Sequence, residues 1–318
     1  MMERIRKIVI LYAVLGTWTL VSCAATPVNK KDQFYYRSLI HNGLKRTYMV
    51  HIPPTYNGDK AIPLFIFLHG GGGSGENAEK FSGISRQSDK DGFILIYPDA
   101  VGHNWNDGRA VKQYQSHRQN IDDVGFIAAL IDAMKNDYAI DPGRVYVSGA
   151  SNGGMMTIRL ACESADKITA IAPVISAMPE NLAAQCAPSR PIPVLMINGT
   201  EDPMVPWEGG HVLFGRKKLG KILSTPDTVQ FWVSHNGCDS APKMTWEPDI
   251  DPDDETRARK SVYSGCKENV EVVFYEIRGG GHAWPGGPIH FPEFITGRPT
   301  HDIDANQIIW DFFKNYSF

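Results

Sequence analysis

The run Gly149-Ala150-Ser151-Asn152-Gly153 follows directly on the apolar stretch Val145-Tyr146-Val147. A strand must turn there sharply into a helix. Glycine at both ends of so tight a turn leaves room where strand and helix nearly touch, and any larger side chain would collide. Ser151 sits at the apex, where its hydroxyl would stand clear of the backbone as a nucleophile. The motif alone is modest support, so its partners elsewhere in the chain decide.

Serine is a poor nucleophile at neutral pH and needs a general base and a group that orients that base. After such a turn the acid and then the histidine are expected in chain order. Residues 193–197 read as a buried strand that runs into Asn198-Gly199-Thr200-Glu201-Asp202-Pro203, which places two carboxylates at its carboxyl end. Asp202 is preferred over Glu201. Pro203 keeps its backbone extended, and a short side chain on a rigid loop is positioned better. The bland alternative is a plain Asp-Pro turn. The strand at 270–277 ends in Arg278-Gly279-Gly280-Gly281-His282-Ala283-Trp284-Pro285, which makes His282 the candidate base. His290 and His301 are the fallbacks, in a loop and before the final helix, where solvated or capping roles are commoner.

Acyl transfer also needs donors aimed at the developing oxyanion. The strand at 63–68 ends in His69-Gly70-Gly71-Gly72-Gly73-Ser74-Gly75, a glycine-rich loop that supplies one backbone N–H, while the residue after the nucleophile supplies the other. Gly71 and Asn152 are assigned to that role, and His69 to a structural hydrogen bond. A phosphate-cradling loop would require a following Gly-Lys-Ser/Thr, which is absent.

Around these motifs the pattern is α/β. Alternating segments at 35–41 and 46–52 are joined by His41-Asn42-Gly43, a hairpin signal. Buried-strand candidates follow at 63–68, 93–97, 144–147, 169–174, 193–197 and 270–277. Helical periods lie at 121–138, after Ser151, at 228–235 and at 305–316. This predicts a single domain built on a mostly parallel, doubly wound sheet with an antiparallel hairpin at one edge.

Met1-Met2-Glu3-Arg4-Ile5-Arg6-Lys7 and the apolar stretch 8–21 read as an export signal. The stretch falls short of the roughly 20 apolar residues a spanning helix needs. Leu20-Val21-Ser22-Cys23 resembles a bacterial lipobox, so residues 1–22 are expected to be removed, Cys23 lipidated and 23–32 left as a tether before a catalytic domain at 33–318. Ordinary cleavage near Ala24 or Ala25 is the alternative. Either way the protein is expected outside the cytoplasm: extracellular, periplasmic or at the outer membrane, with membrane anchoring through Cys23. Removing Arg4, Arg6, Lys7 and Glu3 takes the formal charge from −3 to −5, which argues against nucleic acid as a partner. The remaining Cys162, Cys186, Cys238 and Cys266 allow three disulfide pairings, with the local pairs Cys162–Cys186 and Cys238–Cys266 favoured. No Cys-x-x-Cys spacing supports zinc. The acidic run Asp249, Asp251, Asp253, Asp254, Glu255 lacks the glycine of a calcium loop and is read as a solvated turn. No metal and no cofactor are expected.

Taken with residues 69–73, Tyr97-Pro98-Asp99, Trp105-Asn106, Asp122-Asp123-Val124-Gly125-Phe126, Arg144-Val145-Tyr146 leading into 151–155, 199–206 and 281–286, the chain resembles a family of exported esterases of the α/β-hydrolase fold. That family includes polyhydroxybutyrate depolymerase-like proteins, feruloyl esterases and acetylxylan esterases. The resemblance spans roughly residues 34–316. It implies a Ser151, Asp202 and His282 triad, both local disulfides and hydrolysis of carboxylic esters. The chain departs from the pattern at Trp207 and Glu208, where Tyr or Phe and then a small residue would be expected.

Trp105, Trp207 and Trp284 each follow a sheet strand, so they are placed on the rim near Ser151 as substrate-binding residues, against the alternative that they pack beneath loops. The expected substrate is a feruloyl or acetyl ester of plant polysaccharide or its oligosaccharides. A polyhydroxyalkanoate depolymerase is the alternative, although an enzyme of solid polymer would usually add an adsorption domain. A non-catalytic binding protein or a serine peptidase is the reading from another class.

Overall fold

The computed structural model describes residues 34–318; the expected leader, tether and Cys23 lie outside them. Six strands form the parallel centre of a ten-stranded sheet, and the sequence of each is short, apolar and rich in β-branched and aromatic residues. In chain order the strands are β1 (Phe34–His41), β2 (Leu44–His51), β3 (Ile62–Leu68), β4 (Ile94–Pro98), β5 (Ile140–Ala150), β6 (Ala170–Val174), β7 (Val194–Gly199), β8 (Gly210–Phe214), β9 (Lys217–Ile222), β10 (Lys243–Trp246), β11 (Arg257–Tyr263) and β12 (Val272–Arg278). Their spatial order is β1-β2-β4-β3-β5-β6-β7-β12-β11-β10, with β4 through β12 parallel and the rest antiparallel. Asn42 and Gly43 both have positive φ, 48° and 76°, as the tight β1–β2 hairpin requires.

The helices are α1 (Gly75–Ser82), α2 (Ser85–Asp91), α3 (Gln115–Arg118), α4 (Asp123–Asp137), α5 (Asn152–Glu163), α6 (Glu180–Ala183), α7 (Thr225–Asn236), α8 (Glu293–Thr296) and α9 (Ala305–Phe313). Alternation along β3 sends Leu64, Ile66 and Leu68 into one apolar layer with α4, α5 and α7. Phe65 and Phe67 enter the opposite layer with α9, where Phe313 meets Phe65 edge-on at 5.2 Å between ring centres. Helices on both faces explain why the central strands read as continuous apolar runs.

The doubly wound sheet and its hairpin edge match the expectation. The far edge adds to it, because β11 and β10, which flank the acidic run 249–255, extend the sheet by two antiparallel strands for which the sequence pattern carries no expectation. β10 is exposed along its whole length, so no buried alternation marks it. The small hairpin β8–β9 was also missed.

Both favoured disulfides are present. Cys162 bonds Cys186, and Cys238 bonds Cys266 across 28 residues of chain. The second closes the β10–β11 excursion at its base, so its removal frees the least buried part of the sheet. The double substitution Cys238→Ala/Cys266→Ala is expected to lower stability in urea unfolding by about 3 to 4 kcal/mol, the chain-entropy value for a loop of this size.

Candidate active site

The approach of α5 to β3 explains the glycines around Ser151. A Cβ on Gly153 would lie 2.2 Å from the Leu68 carbonyl oxygen, and one on Gly149 would lie 2.6 Å from the Gly153 carbonyl carbon. Ser151 itself is held at φ 56° and ψ −117°, a conformation that L-residues rarely adopt. Its N–H donates to the Val174 carbonyl at 3.0 Å, which ties the turn to the neighbouring strand. Ser151 stands at the N-terminus of α5, whose dipole favours negative charge at that point.

Asp202 and His282 come together from the ends of adjacent strands. In the β7–β12 pairing Gly199 lies opposite Ile277, so the two following loops run side by side. His282 Nδ1 lies 2.6 Å from Asp202 Oδ2, and Asp202 Oδ1 accepts the N–H groups of Met204 and Val205 at 2.7 and 2.8 Å. The carboxylate is therefore fixed from the loop side, and it fixes the ring tautomer that leaves Nε2 free as a base. Glu201, the carboxylate passed over, is exposed beside Arg298. His290 and His301 are exposed as well; His301 pairs with Asp251 at 3.0 Å, and neither borders the cleft.

Ser151, His282, Gly71 and Asn152 line one cleft of about 610 Å³. No hydrogen bond joins Ser151 Oγ to His282 among the described residues, and such bonds commonly tighten only once substrate is bound. The Gly71 Cα lies close to Asn152, since a Cβ there would stand 3.7 Å from the Asn152 Cβ. Neither backbone N–H has a protein partner among the described residues, as an oxyanion site requires.

The three tryptophans are not on the rim, and none of them lines the cleft. Trp105 is fully buried and donates its indole N–H to the His69 carbonyl at 3.0 Å, bracing the glycine loop from below. Trp284 is equally buried, packed edge-on against Phe67 and donating to Asn306 Oδ1 at 3.1 Å, which secures the His282 loop to α9. Trp207 packs half-buried on Phe274, 5.9 Å between ring centres. Position after a strand brought Trp105 and Trp284 next to the loops that border the site. Whether a ring faces solvent depends on side-chain direction, which strand order does not determine.

Sequence reasoning missed the polar network beneath Asn152. Its side-chain amide donates to Asp107 Oδ2 at 2.5 Å and to the Trp105 carbonyl at 3.1 Å, while its Oδ1 accepts the Trp105 N–H at 2.8 Å. Asp107 is fully buried against Arg109, with Nη2 to Oδ2 at 2.6 Å. Burial would raise the Asp107 pKa, but the Arg109 charge and hydrogen bonds hold it below the ordinary carboxylate value. Asp123, buried against Arg46 at 2.7 Å, accepts the Asn106 N–H at 2.8 Å and anchors the same loop. The spacing Asp-x-Arg at 107–109 was the available signal.

His69 is structural, in line with its reading. Its Nδ1–H donates to the Gly70 carbonyl at 2.7 Å and its Nε2 accepts the Ala100 N–H at 3.1 Å, so both ring nitrogens are engaged in the neutral form. Burial pushes its pKa down from an ordinary 6.5 to about 4.

A model family of the α/β-hydrolase fold matches residues 63–183. The chain is 31% identical to NocK of Nocardia uniformis subsp. tsuyamanensis, which bears an esterase name, over 87% of this chain and 81% of that protein. It is 29% identical to feruloyl esterase B of Piromyces equi over 86% of this chain, spanning only 45% of that longer protein. Among solved structures, the acetyl xylan esterase of Aspergillus awamori superposes with a TM-score of 0.55 at 16% identity, covering 80% of this chain and 96% of the other.

The depressed His69 pKa sets a pH dependence. The unfolded chain takes up this proton before the folded protein does, so the contribution is fully present above about pH 6.5 and is lost as pH falls toward 4. The stability gap between the protein and a non-titrating His69→Asn variant should shrink by roughly 3 kcal/mol between pH 7 and pH 4, read by urea unfolding at each pH. An unchanged gap would show that this imidazole is not the protonation-linked group.

From the relative that is 31% identical over four-fifths of its length and the fold family matched at residues 63–183, the chain belongs to the α/β-hydrolase family of carboxylic ester hydrolases.

Proposed function

We propose that Ser151, His282 and Asp202 carry the ester hydrolysis through an acyl-enzyme. Ser151 Oγ attacks the ester carbonyl carbon while His282 Nε2 takes its proton. Asp202 orients the imidazole and stabilises the imidazolium that results. The carbonyl electrons move to oxygen, where the Gly71 and Asn152 N–H groups receive them. Collapse expels the alcohol, which leaves with the proton from Nε2. Water then attacks the acyl-enzyme by the same route and releases the acid. The observation that carries this reading is the 2.6 Å Asp202–His282 pair opening onto the cleft that also holds the strained Ser151.

We further propose that the ester is a feruloyl or acetyl group on plant polysaccharide or its oligosaccharides. The similarity to a protein named feruloyl esterase supports this, and so do the apolar residues Ile289, Phe291 and Ile295 in the lining of the cleft that holds Ser151, which suit an aromatic acyl group. The same apolar residues, with Phe214 of β8 also in the cleft lining and exposed, favour a polyhydroxyalkanoate as second reading, because an apolar rim also suits a polyester chain. Export is part of the proposal, supported by the two disulfides, with Cys23 as the anchoring residue.

A fluorophosphonate probe should label the protein and fail to label Ser151→Ala, whose kcat falls by roughly a millionfold, while Asp202→Asn loses about 10⁴-fold. Labelling that persists in Ser151→Ala overturns the serine assignment. Methyl ferulate should be turned over faster than short hydroxybutyrate oligomers; turnover of the oligomers alone would transfer the enzyme to the polyester reading.

A further inference from the structure

Two surface segments that contribute to the cleft differ in the charge they carry. One is the apolar segment at Ile289, Phe291 and Ile295. The other is the hairpin β8–β9, which between Gly210 and Ile222 carries His211, Arg216, Lys217, Lys218 and Lys221 and no carboxylate, in a chain of net charge −3. Lys221 reaches Glu180 at 3.8 Å. Arg216, Lys217 and Lys218 are exposed, and none of the three has an ion-pair partner among the described residues.

This tip is not a loose run of charge. Gly215, at φ 58°, makes a two-residue turn that pairs Phe214 with Lys217 across the hairpin. The inner side chains Val212, Leu219 and Ile222 are buried with Met155, four residues after the nucleophile, and with Val205, three after Asp202. Arg109 Nη1 donates to the Leu219 carbonyl at 2.9 Å, and Gly220 packs against the Arg109 backbone. Of the three exposed cations, Lys217 lines the cleft that also holds Ser151, and Arg216 and Lys218 flank it in sequence at the tip of the same braced hairpin.

We propose that the β8–β9 tip binds carboxylates of a uronate-bearing polysaccharide that carries the scissile ester. This deepens the ester-hydrolase reading and rests on it. A single exposed ion pair contributes little. Three adjacent cations facing a chain with repeating carboxylates act together, and their attraction is screened by salt.

The test measures binding by calorimetry in a Ser151→Ala background, with oligogalacturonate and a neutral xylo-oligosaccharide of equal length, at low and high NaCl. The expected result is a preference of about tenfold for the uronate chain at low salt, falling below about threefold at high salt. R216Q/K218Q should lose most of that preference, and the charge-preserving R216K/K218R should keep it. Equal affinity for the two glycans, or a preference that survives R216Q/K218Q, overturns the proposal. So does binding of phosphatidylserine vesicles through these residues without uronate binding. Hydrolysis of methyl ferulate by the unsubstituted protein is measured alongside and reads the esterase proposal separately; its failure with uronate binding intact would sink that reading alone.

Discussion

The close contact of α5 with the end of β3 is the constraint on which the site depends. Backbone atoms of Gly153 lie so near the Leu68 and His69 carbonyls that no side chain fits between them. That contact forces Ser151 into its strained backbone conformation and brings the glycine loop after β3 alongside the first turn of α5. Strain of this kind costs on the order of 1–3 kcal/mol. It persists because β5 is a central strand, bonded to β3 on one side and β6 on the other and buried on both faces.

A second close approach completes the arrangement. A Cβ on Gly199 would stand 2.2 Å from the Gly280 carbonyl oxygen, so the ends of β7 and β12 can meet only through glycine. The loops that leave this contact carry Asp202 and His282. Two glycine contacts, one on each side of β6, thus bring His282 and Asp202 to the cleft that holds Ser151. The buried polar groups beneath them, Asp107 with Arg109 and Asp123 with Arg46, act on the loop that supports Asn152. Each carboxylate is satisfied by a guanidinium and by backbone or amide N–H groups, which is the condition under which a buried charge is tolerated.

Most of the candidate site was legible because its chemistry needs particular residues at particular places along the chain. Gly149 and Gly153 announce the tight turn, Pro203 distinguishes Asp202 from Glu201, and Gly279 to Gly281 announce the loop before His282. The tryptophans show where this kind of inference ends. Trp105 and Trp284 follow strands as expected, yet both rings point inward and brace the loops from beneath. The hairpin β8–β9 was invisible for a different reason. Its buried residues Val212, Leu219 and Ile222 pack on Met155 and Val205, which are remote in sequence, so no local alternation of apolar and polar residues records that contact.

What the chain determined by itself was local: the buried strands, the turn at Ser151, and the placement of Asp202 and His282 on the loops that follow two of those strands. These follow from backbone sterics and from periodicity, both of which act over a few residues. The tertiary structure alone decided which side chains line the cleft, that two further antiparallel strands extend the sheet, and that the β8–β9 hairpin and the 289–295 segment contribute to one cleft. Those outcomes depend on which surfaces meet across long stretches of chain, where the free energy comes from mutual burial and pairing of groups that no short window of sequence contains.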